Sequence, residues 1–86
     1  MLVTLRLFTI PRPIFSKRQR GVYGTPAVFV DEAVCAEDQY INNARAMIEN
    51  SDYNVDDVEV RVYSADATNT LKTVLTHSRI IQQQVA

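Results

Sequence analysis

Residues 58–63 read VEVRVY. Val58, Val60 and Val62 fall on one face of an extended chain, and Glu59, Arg61 and Tyr63 on the other. Strict alternation of this kind, in residue types that suit a pleated surface, describes a strand buried on one side only. Such a strand is not stable alone. It requires neighbouring strands and an apolar layer against its valine face.

The upstream sequence supplies that layer. In AEDQYINNARAMIEN (36–50), Tyr40, Ile41, Ala44, Met47 and Ile48 recur at helical spacing and form one stripe. Glu37 and Asp38 fall in the first turn, where acids complement the helix dipole. Asn50, Ser51 and Asp52 form a turn cluster that ends the helix. Before it, PAVFVD (26–31) reads as a short strand. At the start of the chain, LVTLRLFTI (2–10) places Val3, Leu5 and Leu7 on one apolar face that Thr9 closes. Its other face, Leu2, Thr4, Arg6, Phe8 and Ile10, is mixed, which predicts partial cover there by a loop or a partner. Pro11 and Pro13 stop the strand.

Residues 11–25 hold two prolines, two glycines and four basic side chains and read as a long basic loop, pinned to the body by Ile14, Phe15, Val22 and Tyr23. After the VEVRVY strand, SADATN (64–69) suits a hairpin loop. TLKTVLTHSRII (70–81) then carries two patterns. Leu71, Val74, Leu75, Ser78 and Ile81 fit a helical stripe, whereas threonines at 68, 70, 73 and 76 favour extended structure. The threonines tip the reading towards a fourth strand, with a terminal helix as the alternative.

The expected fold is therefore α+β, a single domain over residues 1–86. A small sheet of three to four strands carries one helix packed on one face, in the order strand, loop, strand, helix, strand, then a terminal strand or helix. The expected core is Val3, Leu5, Leu7, Val28, Val30, Ile41, Ala44, Ile48, Val58, Val60 and Val62.

Composition agrees with one globular unit: 86 residues, 47% apolar and 22% charged. Cys35 is the lone cysteine and has no internal disulfide partner, which favours a reducing, cytoplasmic compartment. No run approaches the ~20 apolar residues of a membrane span, so no membrane association is expected. The opening segment lacks a basic leader and is interrupted by Thr4 and Arg6, so it reads as a strand of the mature fold rather than a signal peptide.

Catalytic chemistry finds few residues to work with. Cys35 and the sole histidine, His77, would be the only thiol–imidazole pair, and the bland reading is a small buried thiol and a surface imidazole. One Cys and one His do not make a structural zinc site, and the acids lack the spacing of a calcium loop. Gly21 and Gly24 belong to no phosphate-binding motif. Asp56, Asp57 and Glu59 read as a charged rim rather than an acid–base pair. The expectation is no enzyme, no cofactor and no metal.

The charge layout is more informative. Residues 1–30 carry five cations and no acid, residues 31–66 carry ten acids against Arg45 and Arg61, and the remainder adds Lys72 and Arg79. The net charge of −1 conceals a +5 segment beside a −8 segment. A solvated loop that packs on its own acidic helix is the plainest account. Docking to another protein, or to a copy of itself, is the account favoured here, because a basic loop and an acidic body offer complementary patches. The contact residues are then Arg12, Lys17, Arg18 and Arg20, with Phe15 and Tyr23 as apolar anchors. The alternative is nucleic-acid binding by residues 11–24, with Tyr23 stacking on a base. Ten acids and a pI near 5.7 oppose it.

With LRLFTI as first strand and PIFSKRQR as basic loop, the order strand, basic loop, strand, helix, strand resembles the small core linker polypeptides of phycobilisomes. The likeness covers about two-thirds of the chain, at the level of element order only. It implies a role as an assembly joint. The chain departs from those linkers in carrying Asp52, Tyr53 and Asn54 where they have paired glycines, and acids where they are basic.

Overall fold

The computed structural model describes residues 1–11, 13–16, 21–24, 26–66 and 68–84, and for 13–16 and 21–24 the backbone alone. The chain runs β1 (Leu2–Thr9), β2 (Pro13–Ser16), β3 (Gly21–Gly24), β4 (Phe29–Ala36), α1 (Tyr40–Asn50), β5 (Val58–Ser64), β6 (Leu71–Thr76) and α2 (His77–Gln84). Short 3₁₀ turns at Glu37–Gln39 and Val55–Asp57 precede α1 and β5.

The main sheet has the order β4-β1-β5-β6, and every neighbouring pair is antiparallel. β4 and β5 therefore run parallel to each other on either side of β1, and α1 crosses β1 to join them. Ala44 and Ile48 of α1 and Ile80 of α2 enter the same buried cluster as Val3, Leu5, Leu7, Val58, Val60, Val62 and Leu75. Both helices thus cover one face of the sheet, which is the two-layer α+β arrangement expected from the sequence.

Val30 and Ile41, also expected in the core, are partly buried and pack against the cluster, as do Tyr40 and Met47. Val28 is a correction, since it is 51% exposed. It lies beside Thr9, past Leu7, the last fully buried residue of β1, with Thr9 N donating to Val28 O and Val28 N donating to Thr9 Oγ1, both at 2.9 Å. The β1–β4 register also slips here. Leu7 pairs with Asp31 and Phe8 with Phe29, leaving Val30 as a bulge residue that resets the alternation.

Two further differences concern element boundaries. β4 begins at Phe29 and runs on to Ala36, beyond the strand read at 26–31. Residues 71–84 form both candidate elements in succession, so the domain has four strands in its main sheet and a second helix. Within 11–25, read as a loop, β2 and β3 pair with each other in a two-stranded antiparallel ladder and add no strand to the main sheet.

Two polar clusters hold the ends of elements. At the β5–β6 connection, Asp66 Oδ1 accepts from Ser64 Oγ and from Thr68 N, each at 3.0 Å, and Asn69 takes φ of 46°. The hydrogen bond from Thr68 Oγ1, followed by those from Ser64 Oγ and Thr68 N, holds the Asp66 carboxyl below the ordinary aspartate value. Between the helices, Arg45 Nη1 donates to Gln84 Oε1 at 2.7 Å, Gln84 Nε2 donates to Asn42 Oδ1 at 2.8 Å, and His77 Nε2 lies 3.1 Å from Glu49 Oε2. The α1–α2 contact thus surrounds an apolar anchor, Ile80, with exposed polar bonds.

Candidate functional site

The sheet face opposite the helices carries no covering element among the described residues. Alternation dictates its occupants: the even residues of β1, the odd residues of β5, and their register partners on β4 and β6. One cross-strand row reads Val34, Thr4, Tyr63, Leu71; the next Glu32, Arg6, Arg61, Val74; the third Phe29, Phe8, Glu59, Thr76. Leu2 extends the face at one end.

Arg6 and Arg61 stand directly opposite each other, an arrangement that costs energy between like charges. Each leans away diagonally. The Arg6 guanidinium lies 4.8 Å from the Tyr63 ring centroid and its Nε is 3.2 Å from Glu32 Oε1. The Arg61 guanidinium lies 4.3 Å from the Phe8 centroid and its Nη2 is 3.8 Å from Glu59 Oε1. Phe8 meets Phe29 edge to face, with centroids 5.8 Å apart. The result is an interlocked lattice in which each cation has a carboxylate partner and lies over one face of an aromatic ring. Its formal charge is zero.

Around this lattice, Leu2, Phe29, Val34 and Leu71 are 49–58% exposed, four of the seven large exposed apolar residues among those described. Four strands at ~4.8 Å spacing and seven residues at ~3.3 Å make a flat footprint of about 300–400 Å² before side-chain relief. This is the footprint of the whole face, on which the exposed side chains of Leu2, Val34 and Leu71 at one end are divided from Phe29 at the other by the Glu32-Arg6-Arg61 row.

None of the contact residues singled out by sequence has a described side chain. Arg12, Lys17, Arg18 and Arg20 lie outside the described residues. Phe15 and Tyr23 belong to the β2–β3 ladder, where the backbone places Phe15 opposite Val22 and Tyr23 opposite Ile14. The lattice itself left a signal in the sequence, since the mixed second face of β1 and the Glu59-Arg61-Tyr63 face of β5 both carry an arginine and an aromatic. What the sequence does not reveal is that register brings the two arginines side by side. Of the β4 residues on this face, Phe29 lay within the strand read at 26–31, and Glu32 and Val34 lay beyond it.

Cys35 and His77 are not brought together. Cys35 pairs with Val3 on β4, and His77 follows Thr76, whose partner Glu59 lies beside Phe8. They occupy opposite corners of the sheet, separated by about 14 Å across the strands and about 17–20 Å along them. Burial, with Asp38 nearby as a lesser cause, pushes the Cys35 thiol up, which disfavours the thiolate. The rim acids also differ in role. Glu59 is 15% exposed beneath Arg61, whereas Asp56 and Asp57 belong to the 3₁₀ turn in which Asn54 Oδ1 caps Asp56 N at 3.0 Å. Among the described residues no helix is long and apolar enough to cross a membrane, and no group of three His, Cys, Asp or Glu residues is placed to hold a metal ion.

No protein-family model, no curated protein and no solved structure matches this chain, so its likeness to phycobilisome core linkers rests on element order alone.

Proposed function

We propose that this chain is a non-catalytic protein-binding module of the assembly or inhibitor kind. The observation that carries the reading is the open sheet face, a continuous surface with four half-exposed apolar side chains around a charge-neutral arginine–aromatic lattice. The occupant it suits is an apolar surface of another protein, layered on this face as α1 and α2 are layered on the other. Nucleic acid suits it less. A polyanion needs unpaired cations and free ring faces, whereas Arg6 and Arg61 have carboxylate partners and cover Tyr63 and Phe8. The lone Cys35 is in keeping with a reducing, cytoplasmic setting.

The test uses the immobilised protein as bait in extract from its native source, beside a Val34→Glu, Leu71→Glu variant. The wild type retains a defined protein that the variant loses, while both keep the same circular dichroism. Retention of the same set by both would contradict the reading.

A further inference from the structure

A groove of about 360 Å³ lies on the other side of the sheet, between the C-terminal half of α1 and the β4 bulge. Leu7, Val30 and Met47 line it with apolar surface, Tyr53 stands exposed at its margin, and Asp31 and Asp52 contribute carboxylates. The bulge makes the groove: the slip between Leu7 and Phe8 pairs Asp31 with Leu7 and leaves Val30 as the extra residue. Asp31 Oδ1 accepts from Glu32 N at 2.8 Å, and among the described residues neither Asp31 nor Asp52 is paired with a cation.

This combination matches one kind of side chain. Lys and Arg carry an apolar stem that packs on aliphatic surface and a cationic head that seeks a carboxylate or an aromatic face. We propose that the groove receives a Lys or Arg side chain from the basic segment 17–20 of a second copy of this chain. Charge complementarity identifies the occupant. Lys17, Arg18 and Arg20 fall in the +5 segment that ends before Asp31, and the groove's two carboxylates belong to the −8 segment that follows it. The contact is heterologous, since the basic segment of one copy meets the groove of the next. It rests on the reading of the chain as a protein-binding module but uses none of the sheet-face residues.

Two variants test it by complementation in sedimentation velocity at low ionic strength. Asp31→Asn with Asp52→Asn keeps the basic segment and removes the groove's charge, while retaining the acceptor for Glu32 N. Lys17→Ser, Arg18→Ser, Arg20→Ser keeps the groove and removes the cations. The wild type associates, and the association weakens as salt rises. Each variant alone is weakened about tenfold, the scale expected for losing two surface ion pairs, and an equimolar mixture of the two regains a heterodimer. A wild type that stays monomeric at every salt overturns the proposal. So does a groove variant that associates like the wild type, or a mixture that regains nothing, which is the outcome if the basic segment occupies the groove of its own chain. Val34→Glu with Leu71→Glu leaves this association unchanged, so failure of the sheet-face reading registers separately.

Discussion

Ile80 is the only fully buried residue of α2 and one of the largest buried side chains in the domain. An eight-residue helix is far below the length that is stable in isolation, so α2 depends on this docking. Ile80→Ala removes three carbons, worth about 2.4 kcal/mol at ~0.8 kcal/mol per methylene. The cavity left under α2 raises the expected loss to about 3–4 kcal/mol. For a domain of this size, total stability is on the order of 4–13 kcal/mol, so the variant loses a large fraction of it. Converted at 4–8 °C per kcal/mol, the melting temperature falls by about 12–32 °C. Urea titration and thermal melts followed by circular dichroism measure both quantities. The partly buried neighbour Ile81 is the control, and Ile81→Ala costs about 1 kcal/mol. A loss below about 1 kcal/mol for Ile80→Ala, or equal losses at both positions, refutes the placement of α2 on the core.

Three shorter predictions follow from local geometry. The Glu49 carboxyl is held below its ordinary value by hydrogen bonds from His77 and Arg45, so its stabilisation is complete above the unfolded value of about 4.3 and lost as pH falls towards the lower folded one. Glu49→Gln accordingly flattens the acid limb of a stability–pH curve, and an unchanged limb contradicts the bonding of α1 to α2. Asn69 holds a positive φ, so Asn69→Gly is tolerated whereas Asn69→Val destabilises by about 1–2 kcal/mol in urea unfolding, and equal behaviour of the two counts against that turn. Random single- and double-stranded oligonucleotides give no gel shift at about 0.15 M salt, where the screening length is ~8 Å; a shift abolished by Lys17→Ser, Arg18→Ser, Arg20→Ser favours nucleic-acid binding instead.

The sequence exposes those elements whose alternation is unbroken. β5 alternates buried and partly exposed residues along its length, and β1 keeps Val3, Leu5 and Leu7 inward. The α1 stripe is equally plain, because Ala44 and Ile48 recur at helical spacing. β4 is obscure for two reasons. The residues opposite Val3 and Leu5 are the small Cys35 and Ala33, which carry little hydrophobic signal, and the Val30 bulge breaks the period near the start of the strand. In residues 70–81 the helical stripe read through Leu71, Val74, Leu75, Ser78 and Ile81 is not the one the structure uses, since Leu71–Thr76 is strand and α2 buries Ile80. The strand passes into α2 without a breaker, with Leu75 entering the core from β6 and Ile80 from α2. The β2–β3 ladder is hidden by its own ends, since Pro13 opposite Gly24 reads as punctuation although proline is acceptable at the first position of a strand. The docking face depends on register between strands distant in sequence, and one chain alone does not encode that visibly.

The most direct measurement of the central claim is site-specific photo-crosslinking in native extract. A photoreactive side chain is placed at Val34 or Leu71 on the open face, and at Gln83 on the exposed surface of α2. Crosslinks to one protein from positions 34 and 71, and none from 83, are the predicted result. Crosslinks from 83 with none from the sheet positions would contradict the assignment of the open face as the docking surface.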